Sequence, residues 1–270
     1  MHYFKNKFLI AGLLFFMPFL SCKKVLDTNI KNVAPQIVIT GEVNNLPGPY
    51  TVTISKTVNY TNDNVFPPVS GAVAYITGNG VTDTLTETIP GTYTTHSIKG
   101  VPGGSYTLFV AVEGQTYTAT SVMPQPVSLD SVSYKLDDDK KINGVVHFQD
   151  PPGIVNYYQF VEFANGKRFK NSSGWSVFED RLSDGRYIVN TLENDNIGND
   201  SADIKAGDTL TVQINCTDKN VYDYLNTLSQ IANGNPFQSP APANPAGNIS
   251  NNALGYFTAQ TVQSRQKIIP

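Results

Sequence analysis

Residues 105–112 read SYTLFVAV, and Tyr106, Leu108, Val110 and Val112 fall on one side of that run. A period of two over eight residues is the signature of a β-strand with one face in a core, expected here over residues 105–113. The same alternation occurs upstream in the run 50–56, where in TVTISK Val52 and Ile54 are separated by Thr51, Thr53 and Ser55. Further strand-like runs at residues 36–43, 71–77, 81–87, 91–96 and 115–123 are each bounded by Gly, Pro or Asn. Seven short strands with turn residues between them predict a β-sandwich over residues 35–124, because two sheets packed face to face cover every apolar side.

The pattern continues beyond MPQPV at residues 123–127, whose two prolines mark an expected domain boundary. A second β-rich domain is expected over residues 127–270, with strands at 128–136, 142–149, 156–164, 175–180, 186–192 and 209–215. One helix interrupts it near residues 218–232. Asp218 can cap its start, Val221, Tyr222, Leu225, Leu228 and Ala232 recur at helical spacing, and Asn233 with Gly234 can close it. A proline-rich loop at 235–248 follows, and LGYF at 254–257 reads as a closing strand. The fold class is therefore mainly β, an Ig-like sandwich followed by a second β-rich domain with one α-helix. A fragment from Asn32 to Met123 is expected to fold alone.

Charged residues make up only 15% of the chain, while Gly and Tyr number 21 and 14, a balance that favours short strands and turns over long solvated helices. Residues 5–24, KNKFLIAGLLFFMPFLSCKK, place Lys5 and Lys7 before an apolar run that ends at Ser21 and Cys22. The run falls short of the roughly 20 apolar residues of a spanning helix, so an export leader is favoured over a retained membrane anchor. Loss of the leader removes Lys5 and Lys7 and makes the formal charge of −3 two units more negative. An acidic surface argues against nucleic acid as a partner. Residues 22–34 read as a polar tether.

If Cys22 carries a lipid, Cys216, the other cysteine of the sequence, has no partner for a disulfide. In TLTVQINC it lies on the same strand face as Leu210, Val212 and Ile214, which predicts an inert core thiol. No G-x-S-x-G, H-E-x-x-H, P-loop or C-x-x-C is present. His96 and His147 are far apart in sequence, and His147 alternates with Val145 as a structural imidazole would. The chain is therefore expected not to be an enzyme.

Glu193, Asp195, Asp200 and Asp203 in ENDNIGNDSAD form a calcium candidate made of hard oxygen ligands on a loop. Their spacing does not match an EF-hand, and a solvated polar loop is the simpler reading. Asp137, Asp138 and Asp139 with Lys140 and Lys141 read as a charged hairpin turn. For ligand contacts the candidates are Tyr60 and Phe66 in the long loop 57–69, Trp175, and Phe237 in the proline-rich loop. Tyr157, Tyr158, Phe160 and Phe163 would be split between two faces of a strand, so at least half of them belong to a core.

The leader resembles the lipobox of bacterial lipoproteins, with Phe19 where leucine is usual. That resemblance implies cleavage before Cys22, acylation of its thiol and new amine with palmitate-type chains, and anchoring in the outer membrane on a face left open. The whole mature chain is similar to a family of outer-membrane lipoproteins catalogued as a domain of unknown function. The stretches that carry the likeness are PPVSGAVAYI, GTY, GGSYTLFV, GQTYTATSVMP, DPPG, NYY, AGDTLTV, VYDYL and NISNNALGYF. Its first half also resembles carboxypeptidase-regulatory-like and transthyretin-like sandwiches. Members commonly neighbour SusC-like TonB-dependent receptors, so the resemblance implies an accessory protein that assists such a transporter in substrate capture or uptake. A stand-alone glycan- or peptide-binding lipoprotein is the alternative, and a hydrolase comes third. A wide apolar surface patch would favour a protein partner, and converging exposed aromatics a binding module.

Overall fold

The computed structural model describes residues 34–58, 65–138, 140–169, 176–192, 204–233 and 244–270. In chain order the strands are β1 Ile37–Asn44, β2 Thr51–Lys56, β3 Val73–Gly78, β4 Val81–Thr84, β5 Thr86–Ile89, β6 Thr92–Thr94, β7 Ser105–Val112 and β8 Gln115–Val122. They continue as β9 Leu129–Leu136, β10 Ile142–Gln149, β11 Tyr157–Ala164, β12 Lys167–Arg168, β13 Ser176–Glu179, β14 Tyr187–Leu192 and β15 Thr209–Thr217. The helix α1 Lys219–Asn233 and the strand β16 Leu254–Ile268 complete the chain. The molecule is mainly β and sandwich-like, with a single helix among the described residues, as the alternating patterns predicted. No described helix is long and apolar enough to cross a membrane.

One nine-stranded sheet organises the rest, in the order β12-β11-β15-β16-β1-β2-β6-β5, with β13 also paired to β11. Two smaller sheets, β4-β3-β7-β8 and β14-β10-β9, complete the set. The apolar residues show how they stack. Ile39, Val52, Ile54 and Phe257 of the long sheet share a buried core with Ala74, Ile76, Leu108 and Val110 of the four-stranded sheet. Farther along the long sheet, Tyr158, Phe160, Leu210, Val212 and Ile214 share a second core with Val132, Val146, Phe148 and Ile188 of the three-stranded sheet. The strand registers put both sets of long-sheet residues on the same face. Two sandwiches therefore sit side by side on a common wall.

The final strand is what joins them. The sequence suggested a short closing strand at LGYF, but β16 runs for fifteen residues. Its first half pairs in parallel with β1, from Val38 with Leu254 to Asn44 with Gln260, and its second half pairs antiparallel with β15. Phe257 and Ala259 thus belong to the first core, and Ile269, just beyond the strand, to the second. The prolines at residues 123–127 separate strands feeding the two cores, yet residues 35–270 form one compact unit.

The run at 81–87 also divides, because Asp83 and Leu85 turn the chain from one sheet to another. β4 pairs with β3, β5 pairs with β6, and buried Leu85 lies between them. Asp83 accepts the backbone N–H groups of His96, Ser97 and Ile98 at 2.6–2.8 Å. Burial pushes its carboxyl up, but those three donors outweigh it and hold the pKa below the usual carboxylate range.

The helix begins where expected. Asp218 Oδ1 accepts the Val221 N–H at 3.0 Å, and Asp218 Oδ2 accepts the Ser121 hydroxyl at 2.5 Å. Ser121 Oγ in turn accepts the N–H of Ala259 at 2.8 Å, tying the cap to β8 and β16. Val221 and Leu225 are buried, and α1 packs on β11, β13 and β16. Tyr222 meets Tyr157 at 5.1 Å and Tyr224 meets Tyr256 at 5.0 Å between ring centroids. Both strand tyrosines lie on the long-sheet face opposite the two cores, so the helix covers one part of that outer face.

Candidate functional site

Beside the helix the outer face is left as a polar cleft of about 350 Å³. Its floor is built from side chains of adjacent long-sheet strands: Glu42 from β1, Thr53 from β2, Gln159 from β11, Gln213 and Asn215 from β15, and Tyr256 and Gln260 from β16, with Arg168 of β12 at one side. They share a face because each alternates with a core residue of the same strand, as Gln213 and Asn215 alternate with Val212, Ile214 and Cys216.

A chain of amides runs across this floor. Gln213 Nε2 donates to Asn215 Oδ1 at 2.8 Å, and Asn215 Nδ2 donates to Gln159 Oε1 at 3.1 Å. Gln159 is only 7% exposed. At the other side Glu42 accepts from Asn44 Nδ2 at 3.1 Å and Gln260 Nε2 at 3.2 Å. Burial pushes the Glu42 carboxyl above its ordinary range, opposed by Asn44 and by the Arg168 charge. Burial, helped by Glu42, also pushes the Tyr256 phenol up to about 12.

A second, larger cleft of about 760 Å³ lies between β13 and β14. Val177, Phe178, Tyr187, Val189 and Tyr222 give it an apolar lining, and Arg181 and Arg186 are its cations. Arg181 pairs with Glu179 at 2.6 Å. The turn between the strands carries Leu182, 90% exposed, and Tyr187, Val189, Ile154 and Val155 are exposed around it. The loop holding Ile154 and Val155 packs against this turn, since Gly153 N donates to Asp184 Oδ1 at 2.8 Å and Asn156 N to Asp180 Oδ1 at 2.9 Å. These residues make an apolar surface patch of a kind that marks a contact with a protein or membrane.

Beneath the patch lie Asp150 and Asp180, both fully buried, with Asp184 close by; one oxygen from each comes within 4.8 Å of the others. The set has the chemistry to hold a cation, but donors already occupy it. Asp150 accepts from the Tyr158 hydroxyl at 2.5 Å and Gly185 N at 2.9 Å, and Asp180 accepts from Asn156 N. The trio latches loop 150–156 onto turn 180–186 and lines neither cleft.

Burial, with Asp150 beside it, pushes Asp180 up to about 6. The native state therefore binds this proton more tightly than the unfolded chain. The associated stabilisation is fully present below about pH 4 and is lost as pH rises through about 6. Asp180→Asn is expected to flatten this part of the profile. Melting temperatures from pH 4 to 8 should show a smaller acid-side gain than wild type, and an unchanged profile would remove Asp180 as its source.

Of the residues singled out in the sequence, Phe66 is 55% exposed beside the anchored end of its loop, where Lys56 N donates to the Pro67 carbonyl. Cys22, Tyr60, Trp175, Glu193, Asp195, Asp200, Asp203, Phe237 and the leader lie outside the described residues. Tyr158 and Phe160 are core, while Tyr157 and Phe163 occupy the outer face, the split that alternation requires. Cys216 is buried and free, and burial pushes its thiol up, away from reactivity. His147 Nε2 lies 2.7 Å from Ser133 Oγ, a hydrogen-bonded structural position. The amide row and the three aspartates were not picked out in sequence. The available signal for the row was amides, rather than Lys or Glu, at the alternate positions of β11, β15 and β16.

Fold and clefts together define a β-sandwich protein with an open polar face and an exposed apolar patch. The chain belongs to the family described as Domain of unknown function (DUF4249), whose model matches residues 23–266. No curated protein matches it. A crystal structure of a DUF4785 family protein from Legionella pneumophila is similar at 14% identity and a TM-score of 0.22, with 67% of this chain and 52% of that one covered. The chain thus spans about half the length of that protein.

Proposed function

We propose that the protein is a non-enzymatic, lipid-anchored accessory protein of the bacterial outer membrane that assists a TonB-dependent transporter in substrate capture or uptake. The observation that carries this reading is the apolar patch around Leu182, which is the feature expected of a surface that docks on a protein partner. The address supports it, since the charged and apolar leader ends in Ser21 and Cys22. Two or more acyl chains on Cys22 hold the protein at the membrane, because each buried CH₂ contributes about 0.8 kcal/mol and one chain alone binds reversibly. The close carboxylate pair, Asp150 and Asp180, lies sealed beneath the patch rather than in a cleft, an arrangement that suits structure better than hydrolysis.

Cys22→Ala tests the anchor. The variant is expected to lose fatty-acid labelling and to leave the outer-membrane fraction while keeping the wild-type melting temperature. A variant that is still labelled and still sediments with the membrane would overturn the lipid-anchor reading.

A further inference from the structure

We propose that the polar cleft on the outer face of the long sheet is a binding site for a neutral saccharide unit, held by side chains alone. This inference names what the accessory protein would hold. It rests on reading the cleft as its capture site, and is independent of anchor and transporter.

The volume of about 350 Å³ falls at the lower end of ligand pockets, which run from roughly 300 to 1,000 Å³. The kind of ligand follows from how the floor is made. β1, β2, β11, β15 and β16 are each paired on both sides, so their backbone groups are engaged in ladders and cannot pair with an added peptide strand. A ligand lying on this floor meets side-chain amides, a carboxylate, a guanidinium and threonine hydroxyls. Hydroxyl groups suit such a lining because each can donate and accept at once.

Charge narrows the class further. Glu42 and Arg168 contribute one charge of each sign to the lining, so nothing in the cleft selects a strongly anionic or cationic molecule. The amide chain also has a direction. It begins at Gln213 and ends on Gln159, a residue 7% exposed whose Oε1 accepts from Asn215. A ligand hydroxyl that pairs with the Gln159 amide would extend this chain of hydrogen bonds by one link. Glu42, steadied by Asn44 and Gln260, supplies an acceptor across the cleft. Tyr256, braced from behind by Tyr224, gives a ring against which a sugar's C–H face can rest.

The test is binding by the detergent-solubilised mature protein to a panel of neutral hexoses, pentoses, N-acetyl amino sugars and their oligosaccharides, with uronic acids and unstructured peptides as comparison ligands. Calorimetry and ligand-induced shifts in melting temperature are the readouts. At least one neutral saccharide is expected to bind. Gln159→Leu should weaken it by about tenfold, the value of one lost hydrogen bond. Arg168→Ala, at the exposed rim, gives a second variant should Gln159→Leu fold poorly, and should weaken the same ligand. Leu136→Ser, at an exposed position that lines neither cleft, should bind it as wild type does.

The proposal is overturned if no neutral saccharide binds, if only peptides or uronic acids bind, or if both cleft variants bind as tightly as wild type. Failure here with intact recovery of a transporter would refute the ligand and leave the accessory role standing. Saccharide binding without any transporter would do the reverse.

Discussion

Gly255→Ala is expected to abolish folding of the long sheet, with a loss above about 4 kcal/mol and most of the protein insoluble. Gly255 sits at φ +94°, a backbone conformation that side chains disfavour, and a Cβ there would lie 2.0 Å from the Ile39 carbonyl oxygen. That oxygen belongs to β1, the strand to which β16 is paired in parallel register. Relief would require β16 to move away from β1, withdrawing Phe257, a fully buried side chain, from the first core. Gly114→Ala provides the control. Its φ is +74°, but nothing lies within 4 Å of the added methyl, so only the conformational cost of roughly 1–2 kcal/mol applies. Soluble yield and thermal unfolding of the two variants measure the difference. Equal stability would show that β16 does not approach β1 as described.

The second large effect concerns cutting the chain at its proline seam. The fragment of residues 34–123 is expected not to unfold cooperatively as an isolated domain, which replaces the independent folding that its strand pattern alone suggests. It retains β1 to β8 but lacks Ile249, Ala253, Phe257 and Ala259, all buried in the first core. Loss of a buried phenylalanine alone costs about 3–5 kcal/mol. Whole domains are stable by only about 5–15 kcal/mol, so losing all four side chains is enough to unfold the fragment. The bare edge of β1 would add a tendency to aggregate. Size-exclusion chromatography and thermal circular dichroism decide the matter. A monomeric fragment melting within a few degrees of the full chain would contradict the shared wall.

These two cases show what the sequence could convey. The strands of the first half were legible because threonine and apolar residues alternate cleanly in TVTISK and SYTLFVAV, and the helix because Asp218 precedes a 3.6-residue stripe. Nothing local announces that residues 254–268 are one strand, since its last five residues, SRQKI, are polar and charged apart from Ile268, whereas the first residues, LGYF, are largely apolar. Nor does any local pattern reveal its partner, because β1 and β16 are separated by more than two hundred residues and parallel pairing has no hairpin signature.

The sites were less legible than the fold. The candidates rested on loop aromatics and acidic runs, whereas the described clefts are made by residues from separate strands that only register brings together. Gln159, Gln213 and Gln260 are unremarkable singly. They become a site because β11, β15 and β16 lie side by side in that order. Asp150 and Asp180, at the exits of β10 and β13, meet only through the packing of the loops that follow and precede them.

The proposed role stands most directly on recovery of a partner from the membrane. The lipidated protein would be affinity-purified from detergent-solubilised outer membranes beside its Leu182→Asp variant, with lipidation and melting temperature verified for both. A TonB-dependent receptor is expected with the wild type and is expected to fall by about tenfold or more with the variant, because a charge in the middle of an apolar contact must be desolvated without a partner. Recovery of no such receptor with the wild type, or equal recovery with both proteins, would contradict docking through this patch.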